Sequence, residues 1–451
     1  MNKQVTRRGF LKNVTTAGIG MMASPYVVPS SVLGKKAPSN RINIGMIGTG
    51  RQAIRVNLSQ FLKLDSCRVV AVNDVDHWRM QQAANKVNEH YGNSNGVISY
   101  YDHRKLLDNP DIDAVMVSTP DHWHIPHGIA AAMSRKHVSS EKALSVCTNH
   151  SQALVDAINH YRVHNRLDSE FRSIPEFSKV VGLVRGNKLG EVKKVVVGVP
   201  SPLNGSAPDP QPTTKVPEEL DYDMWLGPAF PAPYTVKRVH ESHNYNVRPG
   251  WMRIDDYCNG MITNWGAHLI DIALWGLDKE LESPVSVDGT GAFTQSLWNT
   301  IESFDLTYQF EDGTTLQYIT DRPYVKFIGE KDWIKYTFGG DAIETSNESV
   351  LKEPIDAQYK DVLSDKEDFI QSIIENRPSL EPMEVGHNVY RLTHMGMIAA
   401  KLGRPLQWDK ASRDFVNDNA ASSMLYRSFR DESLSNGFGE WMRKYAYSLS
   451  G

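Results

Sequence analysis

Ile42-Asn43-Ile44-Gly45-Met46-Ile47-Gly48-Thr49-Gly50-Arg51-Gln52-Ala53 is the stretch on which the fold turns. Its first six residues read as a buried parallel strand, and the next six as a tight turn that opens a helix. A second apolar run, 68–72, ends at Asn73-Asp74. Glycine at 48 permits the backbone bend, and glycine at 50 lets a pyrophosphate approach the chain. Ala53 is small enough for the helix to pack on the strand, and the helix start offers N–H donors and a positive dipole end. A glycine turn alone is a weak signal, compatible with an ordinary ligand-free loop. A strand before it, a helix after it and an acid at the next strand tip make it specific. Asp74 can accept both ribose hydroxyls and repels a 2′-phosphate, so the pattern points to NAD rather than NADP. Gly48, Gly50, Arg51 and Asp74 are therefore expected at the cofactor.

Working outward, a helical stretch at 80–91 and β-rich runs at 98–101, 114–118 and 137–140 alternate in the manner of a doubly wound parallel sheet. This predicts a Rossmann domain over 40–165. From 166 to 435 the pattern changes. Runs at 192–199, 285–294, 302–310, 314–320 and 332–337 alternate polar and apolar residues, which predicts an α/β domain with an open, mostly antiparallel sheet. Such a face commonly serves as an oligomer interface. A Pro-rich excursion fills 201–233, and 384–402 returns to helical spacing before Gly403 stops it.

A chain of 451 residues, 40% hydrophobic, suits two soluble domains. Residues 1–36 read as a twin-arginine export signal: Thr6-Arg7-Arg8-Gly9-Phe10-Leu11-Lys12 precedes a weakly apolar run of small residues. A basic amphipathic helix is the plainer alternative. Without the signal's four cations the net charge of −4 becomes −8. That argues against a nucleic-acid partner, and nothing after the signal is apolar enough to span a membrane. Cys67, Cys147 and Cys258 form neither a disulfide framework nor a metal spacing, so they are expected to be buried thiols. Export of an already folded protein through this route implies a periplasmic location and a cofactor carried inside.

Three further motifs carry chemistry. Ser118-Thr119-Pro120-Asp121-His122-Trp123-His124 sits at the carboxyl end of the 114–118 strand, the edge where such sheets bind ligands. Ser118, Thr119, Pro120, His122, Trp123 and His124 are accordingly expected at the cofactor. A zinc half-site at His122-x-His124 lacks further ligands, so no metal is expected. Glu141-Lys142 ends the next strand, where a lysine can hold a substrate hydroxyl or the neighbouring ribose, so both residues are also expected at the cofactor, although such a pair is often only a solvated loop. In 259–271, helical geometry places Asn264 and His268 one turn apart on one face. A histidine there suits the proton removal that accompanies hydride transfer from an alcohol, although a lone helical histidine is more often structural.

Taken together, Gly48-x-Gly50, Thr119-Pro120, Glu141-Lys142 and Asn264-x-x-x-His268 resemble the Gfo/Idh/MocA oxidoreductase family. The resemblance extends to Asp223-Met224-Trp225-Leu226-Gly227-Pro228 and to Leu402-Gly403-Arg404-Pro405-Leu406-Gln407-Trp408-Asp409, and is nearest to its twin-arginine-exported, sugar-acting Bacteroidetes-type branch. It implies a homodimer or homotetramer and places the family's lysine and histidine on Lys142 and His268. Two departures stand out. Ala143 replaces the usual proline after Glu-Lys, and Asn264 replaces a frequent aspartate, so Asn264 can hydrogen-bond a hydroxyl but cannot raise the histidine's pKa. For a carbohydrate, Arg172, Tyr245, Arg248, Trp251, Arg253, Asp255, Asp256 and Tyr257 offer aromatic faces and charged partners; core or interface packing is the competing reading for Trp251 and Tyr257. The expected function is oxidation of a sugar or glycoside ring hydroxyl with tightly bound NAD recycled in place. The alternatives are an NAD-dependent glycosidase that oxidises, eliminates, adds water and reduces, or a degenerate, non-catalytic sugar-binding protein.

Overall fold

A computed structural model of the chain describes residues 41–93, 96–201 and 211–430. The twin-arginine segment at 1–36, part of the Pro-rich excursion and the last residues of the second predicted domain lie outside these. The strand read at 42–47 is β1 (Ile42–Ile47). Its side chains at Ile44, Met46 and Ile47 are fully buried, as a strand covered on both faces requires. The other strands of its sheet are β2 (Cys67–Asn73), β3 (Ile98–Tyr100), β4 (Ala114–Val117), β5 (His137–Glu141) and β6 (Asn165–Asp168). All are parallel, in the order β3-β2-β1-β4-β5-β6. Strand order reverses between β1 and β4, so the crevice for a ligand opens beyond their carboxyl ends.

β6 lies outside the sequence expectation because only one of its four residues is apolar. Arg166 and Asp168 are nonetheless buried. Arg166 reaches Asp365 (2.6 Å) and Asp368 (2.5 Å), and Asp168 meets Lys366, all on the helix Asp365–Glu375. That helix comes from the carboxyl part of the chain, yet its Phe369 and Ile370 join the core beneath β1 and β2. The two halves of the molecule are thus locked by apolar packing and by buried charge.

The second sheet has nine strands: β7 (Val192–Val199), β8 (Ser286–Phe293), β9 (Ile301–Gln309), β10 (Thr315–Thr320), β11 (Tyr324–Gly329), β12 (Trp333–Thr337), β13 (Glu344–Thr345), β14 (Leu406–Asp409) and β15 (Asp414–Phe415). Their order is β13-β12-β11-β7-β10-β9-β8-β14-β15. Only the β7–β10 pair is parallel. Alternation sends Val195, Val197, Leu306, Tyr308, Leu316, Tyr318, Val325 and Phe327 into one core. The helices Gly266–Leu277 and Met383–Leu402 cover that face, the latter capped by Gly403 in the left-handed region. No helix among the described residues is long and apolar enough to cross a membrane. All three cysteines are buried thiols.

Candidate active site

The carboxyl ends of β1, β4 and β5 line a cleft of about 300 Å³. Gly48 has φ +85°, and a Cβ there would stand 2.8 Å from the Ser118 carbonyl carbon and oxygen. Glycine is what lets the loops after β1 and β4 touch. At Gly50 a Cβ would meet nothing within 4 Å, so the space beside it is open to a ligand. Arg51 lines this end, and its Nε is buried with no protein partner. An open cradle beside a guanidinium whose Nε has no protein partner fits a dinucleotide pyrophosphate. Asp74 lines the same end, and its Oδ2 accepts from the Thr49 N–H (2.7 Å) and hydroxyl (3.0 Å). Oδ1 accepts from the Asp76 N–H (2.9 Å). A carboxylate has about four lone-pair sites, so one remains on Oδ1, and the expectation that Asp74 takes both ribose hydroxyls narrows to a single bond. Burial, then the Asp76 charge, pushes the Asp74 carboxyl up.

Ser118, Thr119, Pro120 and Trp123 also line the cleft, whereas His122 and His124 do not. The helix Asp121–Met133 begins one residue before His122, and positions two apart on a helix do not share a face. His122 turns into an aromatic cluster, its Nε2 3.1 Å from the Trp225 carbonyl. His124, wholly buried, bridges the carbonyls of Ala143 (2.7 Å) and Thr119 (2.8 Å) and so braces the two cleft loops. Neither is placed to touch a cofactor, and among the described residues no cluster suits a metal.

At the other end, Lys142, Asn264 and His268 converge. Lys142 Nζ donates to Asn264 Oδ1 (3.0 Å) and approaches its carbonyl (3.4 Å). His268 Nδ1 donates to the Ser169 carbonyl, which leaves Nε2 as the acceptor. The ring stacks on Phe171 with centroids 4.3 Å apart. Burial, and secondarily the Lys142 charge, holds His268 well below the usual histidine range, so it is neutral at pH 7. Glu141 accepts from the buried Asn57 amide (2.9 Å), which also donates to the Ser118 hydroxyl (2.9 Å).

Glu170 was not anticipated from the sequence. It follows β6, with φ +67° and ψ −34°, while the Phe171 N–H returns to the Ser169 carbonyl at 2.8 Å. This is a γ-turn of the rare, strained kind, and Glu170 lines the cleft beside Glu141 and His268. Burial, then the charges of Glu141 and Asp168, pushes its carboxyl up to about 8. Phe171, Trp265 and Phe338 form an aromatic wall over the His268 end. Phe171 and Phe338 lie outside the sequence motifs, and Trp265 sits within 259–271 without being marked by it.

The residues proposed for a sugar divide. Arg248 and Trp251 line the cleft. Arg172 does not: it is buried in a bidentate pair with Asp271 (2.5 and 2.8 Å) and also meets Glu280. Asp255 pairs with Lys401 (3.0 Å) and Arg427 (3.3 Å), away from the cleft. Asp256 is likewise outside it, and Arg253 lies over the Trp298 ring. Tyr257, fully buried, packs with Trp225 and His122. Tyr245 crosses to the other domain, where its hydroxyl donates toward the Thr49 carbonyl (3.2 Å).

Tyr245 belongs to a strap. Leaving β7, the chain runs back over the first domain before it reaches β8. Asp76 bridges Leu220, and the His77 N–H donates to the Glu219 carbonyl (2.8 Å). His240 Nε2 lies 2.9 Å from Asp76 Oδ2. Arg79 donates to the carbonyls of Glu241 and Asn244, both at 3.1 Å. Arg55 donates to Asn246 Oδ1 (2.5 Å). Val247, Arg248, Pro249, Trp251 and Met252 then form the cleft's far wall.

Comparison with known proteins agrees with this architecture. Residues 42–166 match a family described as an oxidoreductase family with an NAD-binding Rossmann fold, and 205–434 match the same family's C-terminal α/β domain. A glycosyl hydrolase family 109 protein of Shewanella sp. (strain ANA-3) is 29% identical over 165 residues, 33% of this chain and 36% of that protein. The chain thus spans about a third of that relative's length. An aldose-aldose oxidoreductase from Caulobacter crescentus has the same fold, with a TM-score of 0.60 at 18% identity over 81% of this chain and 99% of that one. A levoglucosan dehydrogenase bound to NADH and levoglucosan gives a TM-score of 0.60 at 15% identity, again covering 81% and 99%. With both of its domains matched in order, and the glycine turn opening the cleft where the first domain predicts it, the chain belongs to the Gfo/Idh/MocA oxidoreductase family and binds NAD in its Rossmann domain.

Proposed function

We propose that this protein oxidises a ring hydroxyl of a sugar or glycoside, holds its NAD through turnover, and works in the periplasm after twin-arginine export. The observation that carries this reading is the meeting of Lys142, Asn264 and His268 in one cleft with Gly48 and Gly50. Bound NAD supplies the hydride acceptor. Lys142, steadied by the Asn264 amide, donates a hydrogen bond to the substrate hydroxyl oxygen. His268, its Nδ1 fixed on Ser169, takes the hydroxyl proton on Nε2; being neutral, it is ready to do so. The aromatic wall of Phe171, Trp265 and Phe338, with Trp251 opposite, suits the apolar face of a sugar ring. The strap across Asp76, Arg79 and Thr49 supports a cofactor that stays in place, which a site far from the cytoplasmic NAD pool requires. On the outer face of the nine-stranded sheet, half-buried Val196, Ile319, Ile328 and Trp333 support a homodimer or homotetramer.

Glu170 favours a second reading. A carboxyl that still holds its proton near neutral pH suits delivery of that proton to a departing glycosidic oxygen. The glycosyl hydrolase family 109 likeness points the same way. One experiment separates the two. The protein is purified from the periplasmic fraction, assayed for bound NAD, and mixed with sugars and glycosides while absorbance at the NADH band and the products are followed. A keto-sugar supports the oxidoreductase, and a released aglycone with an intact sugar supports the glycosidase. Absence of bound or bindable NAD would overturn both. Asn264→Asp gains activity if the amide is a handicap and loses it if the amide holds Lys142.

A further inference from the structure

Two cations line the cleft near the glycine turn, with the exposed Arg55 beside them. Arg51 and Arg55 follow the glycine turn, and Arg248 reaches it from the other domain. No carboxylate among the described residues pairs with Arg51 or Arg248, and Arg51 Nε is buried without a partner. Burial first, and then the charges of Arg55 and Arg248, pull the Arg51 guanidinium below its ordinary value. Such crowding is costly unless an anion sits among them. Arg248 is also not held by chance. The residues before it are fixed to the Rossmann domain at Asp76, Arg79, Thr49 and Arg55, and the Tyr245 ring lies between Trp78, with centroids 5.0 Å apart, and the Arg79 guanidinium, 4.8 Å from its centroid.

We propose that residues 240–252 are a clasp that completes the dinucleotide site from the C-terminal domain, with Arg248 neutralising the pyrophosphate beside Arg51. Arg248 is then a cofactor ligand rather than a sugar ligand. The site is bipartite: the Rossmann domain supplies the glycine turn and Asp74, and the second domain supplies the cover and a charge. Leaving requires NAD to break a charge-assisted contact and to part the clasp from Thr49, Arg55 and Asp76. This rests on the reading that the protein holds NAD, and it adds the device that retains it.

The test uses the full chain and no sugar. Wild type, Arg248→Ala, Arg248→Lys and the double variant Tyr245→Phe/Asn246→Ala are loaded with radiolabelled NAD, separated from free label, and chased with excess unlabelled NAD. Loss of a charge-assisted phosphate contact corresponds to about a 10- to 100-fold change, so Arg248→Ala is expected to release label that much faster. Arg248→Lys restores most of the retention, and the double variant releases label about 3- to 10-fold faster through loss of the neutral Tyr245 hydrogen bond and the solvent-exposed Arg55–Asn246 one. Equal melting temperatures in saturating NAD show that the variants are folded. If wild type retains label and both Arg248→Ala and the double variant release it at the wild-type rate, the clasp is refuted while NAD binding stands. If wild type holds no label at any concentration, the cofactor reading itself falls, and the clasp with it.

Discussion

Replacing Glu170 by glutamine should flatten the pH dependence of stability on its alkaline side. The Glu170 carboxyl feels Glu141 and Asp168, opposed by the Lys366 charge, and is pushed up to about 8 against 4.5 for a free glutamate. Between those values the folded chain holds a proton that the unfolded chain has lost. Stability therefore falls as pH rises from 4.5 through 8. The full shift corresponds to about 5 kcal/mol; water reaching a carboxyl that is not completely buried, and the Gln52 amide at 3.2 Å, bring the expected effect to about 3 kcal/mol. Glutamine keeps the shape and cannot ionise. The two proteins should melt within about a degree of each other at pH 5, and at pH 9 Glu170→Gln should melt about 4 °C higher, the shift expected of a chain this size. Scanning both at pH 5, 7 and 9 in one ionic strength decides the matter. Parallel curves would show that Glu170 is ionised throughout, and the proton-donor role would go with it.

Other expectations are equally direct. Gly48→Ala places a Cβ 2.8 Å from the Ser118 backbone at φ +85°, and should cost about 3 kcal/mol by denaturant titration. Gly50→Ala meets no protein atom, so it should leave the unfolding midpoint of NAD-free protein unchanged while NAD content falls. Lys142→Met removes a charge that depresses His268, so the acid limb of single-turnover NADH formation should move to higher pH as the rate drops. An unmoved limb would exclude His268 as the base. Arg166→Met leaves buried Asp365 without its cation and Asp368 with Arg377 alone, and should cost about 3–5 kcal/mol in urea.

Period carried the legible part of the fold. The apolar run 42–47, the glycine turn and the acid at 74 are all local, and so was the alternation that marks β7 to β10. The missed elements lacked that signature. β6 is Asn-Arg-Leu-Asp, a strand whose polar side chains are satisfied by a helix some 200 residues later, and no local pattern reports such a partner. β11 alternates cleanly but follows a turn and a proline at 323. In the site, Lys142, Asn264 and His268 were readable because each ends a strand or sits at helical spacing. Arg172 and Asp255 look from sequence like sugar ligands, but charges whose partners are Asp271 and Lys401 become structural once the chain folds. Glu170 was hidden for the same reason as β6: it is placed by the end of an unrecognised strand.

The Ser169 carbonyl accepts both the Phe171 N–H that closes the γ-turn and the His268 Nδ1 proton. One peptide plane therefore aims both the Glu170 carboxyl and the His268 imidazole. Tilting it to re-aim the carboxyl at position 170 also turns the imidazole, and an altered histidine tilts the turn in reply. Under the proposed roles, acid and base are geared together, so substrate range and pH optimum are expected to shift jointly in any variant that touches this peptide, and a library that varies position 170 alone samples both.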